Sequence, residues 1–177
     1  MARALACQPE LIVLDEPTSA LDVSVQAHIL QLLADLQSRF RLTYLFITHD
    51  LGVARIMTSR IAVMYRGRIV ETGPTPEVFR TPRHRYTVML LSSVPVVSKN
   101  EEELRPEWPW RRRLVEGELK VSNGCSFAPR CPNTLDQCWS TVPAIDPMGP
   151  IHDAACLNPS GAIAPALQPK PLISSSN

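Results

Sequence analysis

The stretch Leu11 to Asp22, LIVLDEPTSALD, constrains this chain most. Four apolar residues run directly into two adjacent carboxylates, Asp15 and Glu16. An uninterrupted apolar run rich in branched side chains suits a strand covered on both faces, as in a parallel α/β sheet. In such sheets ligands gather outside the carboxyl ends of the strands. Two negative charges placed there repel each other and lose solvation. They make sense if a cation and a reacting phosphate share the space. That chemistry points Asp15 toward Mg²⁺ and Glu16 toward an attacking water.

Asp22 can cap the helix that follows. Val25, Ile29, Leu32, Leu33, Leu36 and Phe40 keep helical spacing and predict the face that packs on the sheet. Gln26, His28, Gln31, Asp35 and Gln37 fall largely outside it, so His28 reads as a surface histidine. Leu42 to Thr48 is a second apolar strand and delivers His49 and Asp50 at its carboxyl end. A strand–helix–strand unit places both strands parallel and close, so His49 can reach the pocket that Glu16 faces. Asp50 is expected to cap the helix from Leu51. Ahead of all this, Ala2 to Cys7 is a short helix-compatible run, with Cys7 expected to be buried. Arg60 to Tyr65 and Arg68 to Thr72 predict a hairpin around Arg66-Gly67, completing the sheet edge.

Beyond Gly73 the character changes. The chain holds 17 prolines against 7 glycines, and most of the prolines lie in this later part. The expected divisions are residues 1–72, 73–158 and a disordered tail at 159–177. Pro76 to Arg80 and Tyr86 to Ser93 read as short helices, and the basic run Arg80 to Arg85 as a solvated face. Residues 96–120 read as a polar linker carrying Glu101 to Glu103, Trp108, Trp110 and Arg111 to Arg113. A net charge of +1 gives no reason to expect nucleic acid as a partner. No stretch approaches the roughly 20 apolar residues of a membrane span, and no secretory leader is evident, so a cytoplasmic location is expected.

Cys125, Cys131, Cys138 and Cys156 then follow with the spacing C-x5-C-x6-C-x17-C. This density suggests a thiolate site. Disulfides are disfavoured in the cytosol, and the paired C-x2-C knuckles usual for zinc are absent. The longer spacings wrap a larger object, which favours a [4Fe–4S] cluster; zinc, unligated thiols and disulfides stay open. His152 is a candidate substitute ligand. With few apolar residues, this segment is expected to build little core of its own, and a bound cofactor would fix its loops.

LIVLDEPTSALD resembles the Walker B motif and D-loop of an ABC-type ATPase. ARALACQPELIVLDEPTSALDVSVQAHILQLLADLQ is similar to the nucleotide-binding subunits of dipeptide and oligopeptide ABC importers, as are TPEVFRTPRHRYTVMLLSSVP and GCSFAPRCPNTLDQC followed by HDAAC. The resemblance implies an α/β fold: a partial P-loop NTPase parallel sheet with a Pro-rich, cysteine-bearing appendage. It implies that Asp15 helps hold Mg²⁺, Glu16 polarises the hydrolytic water and His49 contacts the γ-phosphate. Ser19, Ala20, Leu21 and Asp22 would communicate across a dimer with a second ATPase subunit. Membrane-spanning permease subunits would be direct partners, at the inner face of the membrane, and an extracytoplasmic solute-binding protein an indirect one. The chain carries no G-x-x-x-x-G-K-[ST] loop, no LSGGQ and no Q-loop glutamine ahead of the strand. The expectation is therefore a carboxyl-terminal part of such a subunit, unable to hydrolyse ATP alone. Three other readings remain: a nickel or other solute importer subunit, a non-hydrolysing iron–sulfur or regulatory module, and a soluble ABC ATPase of DNA maintenance.

Overall fold

A computed structural model describes residues 2–93 and 123–161. The expected linker at 96–120 and the tail beyond 161 lie outside the described residues. The chain forms two compact units, Met1–Thr58 and Ser59–Asn177. The hairpin thus groups with the cysteine-bearing segment, whereas the composition shift suggested a division after residue 72.

In the first unit, helix α1 (Ala2–Leu5) precedes strand β1 (Leu11–Asp15), helix α2 (Val23–Phe40), strand β2 (Thr43–Ile47) and helix α3 (Leu51–Met57). β1 and β2 pair in parallel, with Leu11 opposite Thr43 and Asp15 opposite Ile47. Asp22 caps α2, its carboxylate accepting from the Val25 amide at 2.8 Å and the Ser24 hydroxyl at 2.7 Å. These two bonds, the amide first, hold the Asp22 carboxyl below its ordinary range. Arg41, at φ 54°, ends the helix in the left-handed region without help from a glycine.

The core of this unit is Ile12, Leu14, Leu33 and Leu42, with Ile29, Leu36, Tyr44 and Phe46 against it. Two expectations need correction here. β1 is buried on one face only: Leu11 and Val13 are 54% and 56% exposed. Leu45 and Ile47 of β2 are exposed on the same side, because the one long helix of the unit covers a single face. The apolar stripe on α2 is also longer than its packed seam. An 18-residue helix runs about 27 Å, but a five-residue strand only about 17 Å. Val25 and Phe40 therefore overhang the sheet and stay exposed, and Leu32 lies at the stripe's edge. Cys7, expected to be buried, is exposed beyond the end of α1.

The second unit is built on an antiparallel sheet. Strands β3 (Arg60–Tyr65) and β4 (Arg68–Pro74) form the expected hairpin. Arg66 and Gly67 turn it with φ of 47° and 76°, the double left-handed turn that matches strand twist. Its hydrogen-bonded neighbours are not β1 and β2. β4 pairs with β6 (Asp153–Ala154), which pairs with β5 (Asp146–Pro147), giving the order β3-β4-β6-β5. Helices α4 (Thr75–Arg80) and α5 (Arg85–Ser92) follow the hairpin. This unit does have its own core: Val63, Tyr65, Val70, Val78, Phe127 and Cys131. Phe127 meets Tyr65 edge-on at 5.3 Å and lies 5.6 Å from Tyr86. A few aromatics supply the buried area that the count of apolar residues understated. Among the described residues the fold is α/β, with one parallel pair and one antiparallel sheet. Among the described residues no helix is long and apolar enough to cross a membrane.

Candidate functional site

The carboxyl ends of β1 and β2 carry the first group of candidates. Asp15 is the last residue of β1 and pairs with Ile47, the last of β2. The next amide continues the ladder, Glu16 N–H donating to the Ile47 carbonyl at 2.9 Å. Glu16 then turns the chain at φ 44°. A non-glycine residue held there stores about 1–3 kcal/mol of strain. The turn sends its carboxylate across to the neighbouring strand end, where Oε1 lies 2.9 Å from His49 Nδ1. Both side chains face solvent, 46% exposed for Glu16 and 74% for His49. If His49 is neutral and donates from Nδ1, its Nε2 is left as an acceptor pointed away from Glu16. Asp15 is exposed, and among the described residues no hydrogen bond or ion pair engages its carboxylate.

The residues after Glu16 form a tight turn. Thr18 is buried, and Ser19 donates to the Glu16 carbonyl through its hydroxyl at 3.1 Å. Ser19, Ala20, Leu21 and Asp22 are exposed. Asp50 caps α3, accepting from Gly52 and Val53 at 2.8 and 3.1 Å, so it is committed to structure. His28 is exposed, as its place on α2 predicts. The geometry therefore assembles a carboxylate–imidazole pair beside a free carboxylate, on one rim.

The second group is the four cysteines of the second unit. None of the four forms a disulfide among the described residues. The Cys125 amide donates to the Cys138 carbonyl at 2.8 Å. Three-residue and four-residue 3₁₀ turns, Ala128–Arg130 and Asp136–Trp139, carry the chain from Cys125 past Cys131 to Cys138. Thr134 stitches this segment, its hydroxyl lying 2.7 Å from the Ala128 carbonyl and 2.8 Å from that of Cys131. Burial pushes the Cys125 and Cys131 thiols up. It pushes Cys156 up to about 11, with further upward contributions from Cys131 and Cys125. The four thiols thus share one neighbourhood.

They do not form a metal centre as placed. Among the described residues, no group of three or more His, Cys, Asp or Glu side chains could hold a metal ion. That departs from the expected ligand set of Cys125, Cys131, Cys138 and Cys156. His152 is buried, with its Nε2 2.6 Å from Glu71 Oε1.

Three residues of this unit escaped the sequence reading. Glu71 is fully buried on β4 and binds His152 and two backbone amides. His84 is 1% exposed, so the basic run around it is not a solvated face. Burial lowers His84 to about 4, against an opposing pull from Glu71. Gly124 lies against the backbone of Cys138 to Ser140. Its adjacency to Cys125 was the one available signal.

Residues 70–138 match the family described as oligopeptide/dipeptide transporter, C-terminal region. An Escherichia coli protein named as a probable D,D-dipeptide transport ATP-binding protein is 49% identical over 138 residues, 78% of this chain and 44% of that protein. A Sinorhizobium fredii protein named as a probable peptide ABC transporter ATP-binding protein is 44% identical over 88% of this chain and 46% of its own length. A Brucella ovis protein named as a peptide import ATP-binding protein is 43% identical over 89% of this chain. The chain spans about half the length of the curated relatives it matches.

Proposed function

We propose that this chain, whose residues 70–138 match the oligopeptide/dipeptide transporter C-terminal region, supplies the hydrolytic end of an ATP-binding subunit that energises ABC import of peptides. The observation that carries the proposal is the 2.9 Å contact of His49 with Glu16 at the ends of two paired parallel strands. Glu16 is the base for the attacking water, held in direction by its own turn and by His49. Asp15, exposed beside it, serves Mg²⁺. His49 reaches the terminal phosphate of ATP. Ser19 to Asp22 face a second ATPase subunit, and permease subunits dock the assembly at the cytoplasmic face of the membrane. In this reading the parallel pair is part of a larger P-loop sheet. The exposed face of Leu11, Val13, Leu45 and Ile47 supports that reading, since an apolar strand face is stable only when covered. Peptide is preferred to nickel or another solute because the matched relatives are named for peptide or dipeptide transport.

The test is complementation. The amino-terminal half of one of these relatives, carrying a phosphate loop and signature, is co-expressed with this chain, and phosphate release from ATP is measured. This chain alone releases none. The reconstituted pair hydrolyses ATP, and Glu16→Gln lowers the rate by about 10²-fold or more, the usual loss for a general base. A reconstituted ATPase indifferent to Glu16→Gln would refute the assignment.

The shared neighbourhood of the four thiols supports a second reading, a bound [4Fe–4S] cluster or zinc that forms only on rearrangement to thiolates. Anaerobic purification with iron and zinc analysis decides it. A colourless, metal-free, folded protein ends that reading.

A further inference from the structure

Glu71 holds more than its immediate neighbours. Its Oε1 accepts from the Arg83 amide at 2.7 Å and from His152 Nε2 at 2.6 Å. Its Oε2 accepts from the His84 amide at 2.9 Å. The residue is wholly buried, so no water can replace a lost partner.

These contacts reach both ends of one segment. Residues 152–160 begin at His152, pinned directly by the carboxylate. A Cβ on Gly73 would come within 3.2 Å of the His152 ring, so β4 is shaped to receive it. The segment ends at Ser160, whose amide donates to the Arg83 carbonyl at 2.9 Å and whose hydroxyl donates to the Pro82 carbonyl. The turn 82–84 is itself fixed by Glu71 through the Arg83 and His84 amides. Between the ends, β6 pairs with Glu71 and Thr72, and the Ala155 amide donates to the Val70 carbonyl at 2.8 Å. Arg85 donates to the carbonyls of Asn158 and Pro159 at 3.3 and 3.4 Å. Cys156 sits in the middle.

We propose that Glu71 is the latch of a strap, residues 152–160: one buried carboxylate fixes both ends and so decides whether Cys156 lies among the other thiols or is released. Cys125, Cys131 and Cys138 belong to the segment stitched by Thr134, while Cys156 arrives on the strap alone. Glu71 is a positioning residue for this thiol group. The inference needs only that the four thiols share a neighbourhood; iron and zinc analysis decides separately what they bind.

The experiment uses the 177-residue chain. Iodoacetamide labelling is followed cysteine by cysteine by mass spectrometry, alongside amide exchange. In the unaltered chain Cys156 labels more slowly than exposed Cys7. Glu71→Gln turns an acceptor into a donor facing an amide. It should raise both Cys156 labelling and exchange over 152–160 about tenfold, with β3 and α5 unchanged. His152→Ala should act likewise, without touching the two backbone bonds. His152→Gln, whose side-chain amide can reach the place of Nε2, should restore protection. Unchanged strap exchange in Glu71→Gln and His152→Ala would overturn the latch. So would equal loss of protection over β3 and α5, labelling of Cys138 that rises as much as that of Cys156, or failure of His152→Gln to restore. If Glu71→Gln does not fold, the two His152 variants decide alone.

Discussion

A single added methyl at Gly124 should cost about as much as a core truncation. A Cβ there would lie 2.3 Å from the Cys138 carbonyl oxygen, 2.8 Å from the Trp139 carbonyl carbon and 2.9 Å from the Ser140 amide nitrogen. Ordinary contact starts near 3.4 Å, so two backbone segments must part by about 1 Å. All three obstacles are main chain, and none can rotate away. The parting stretches the Cys125 N–H bond to the Cys138 carbonyl beyond use, from 2.8 Å. A hydrogen bond is worth about 1 kcal/mol net, and a buried group left unpaired costs about 1–3 kcal/mol. Strain from overpacking adds a comparable amount. Gly124→Ala is therefore expected to destabilise the second unit by about 2–4 kcal/mol. For a unit of this size that is a fall in Tm on the order of 10–20 °C. The assay is thermal and urea unfolding followed by near-ultraviolet absorption of the Tyr65–Tyr86–Phe127 cluster, beside labelling of Cys125 and Cys138. A loss below about 0.5 kcal/mol, within the range of ordinary surface changes, would refute the close approach and with it the placement of these two cysteines.

Two other outcomes are expected. Leu14→Ala should destabilise the first unit by about 2–4 kcal/mol, because Leu14 is 7% exposed, while Val13→Ala should change urea stability by less than about 0.5 kcal/mol. Equal losses would mean that the outer face of β1 is covered in solution. His84 supplies a pH test: its folded value of about 4 lies below the ordinary 6.5. Between those limits the unfolded chain binds a proton that the folded chain refuses. Stability of the second unit should thus fall as pH drops from 6.5 toward 4, by roughly 3 kcal/mol at most. His84→Asn keeps a capping acceptor and should flatten the slope; an unaltered slope would place the titration elsewhere.

What could be read from the residues follows how contacts are made along the chain. Glu16 and His49 are 33 residues apart, but a strand, a helix and a strand intervene, each marked by its own periodicity. Such a unit has few ways to fold, so the ends of its strands meet almost by necessity. The 2.9 Å contact is a consequence of that regularity. Leu11 and Val13 show the limit of the same reasoning. An apolar run records that a face is meant to be covered, not whether the covering residues belong to the chain in hand.

Glu71 and His152 lie at the opposite extreme. They are 81 residues apart, joined across irregular chain and two strands of two residues each. No periodicity marks either residue, and a glutamate in a strand reads as solvent-facing by default. Only the tertiary arrangement gives this carboxylate three N–H donors, and burying a charge is tolerable only with such compensation. The polar character that hid Glu71 in the sequence also makes it hard to replace. An apolar residue of the same size would leave the amides of Arg83 and His84 and the ring of His152 without a partner, three vacancies in a dry place. The cysteines lie between the extremes: their spacing announced a common neighbourhood, while the turns that set their distances depend on Gly124 and Thr134, which carry no such announcement.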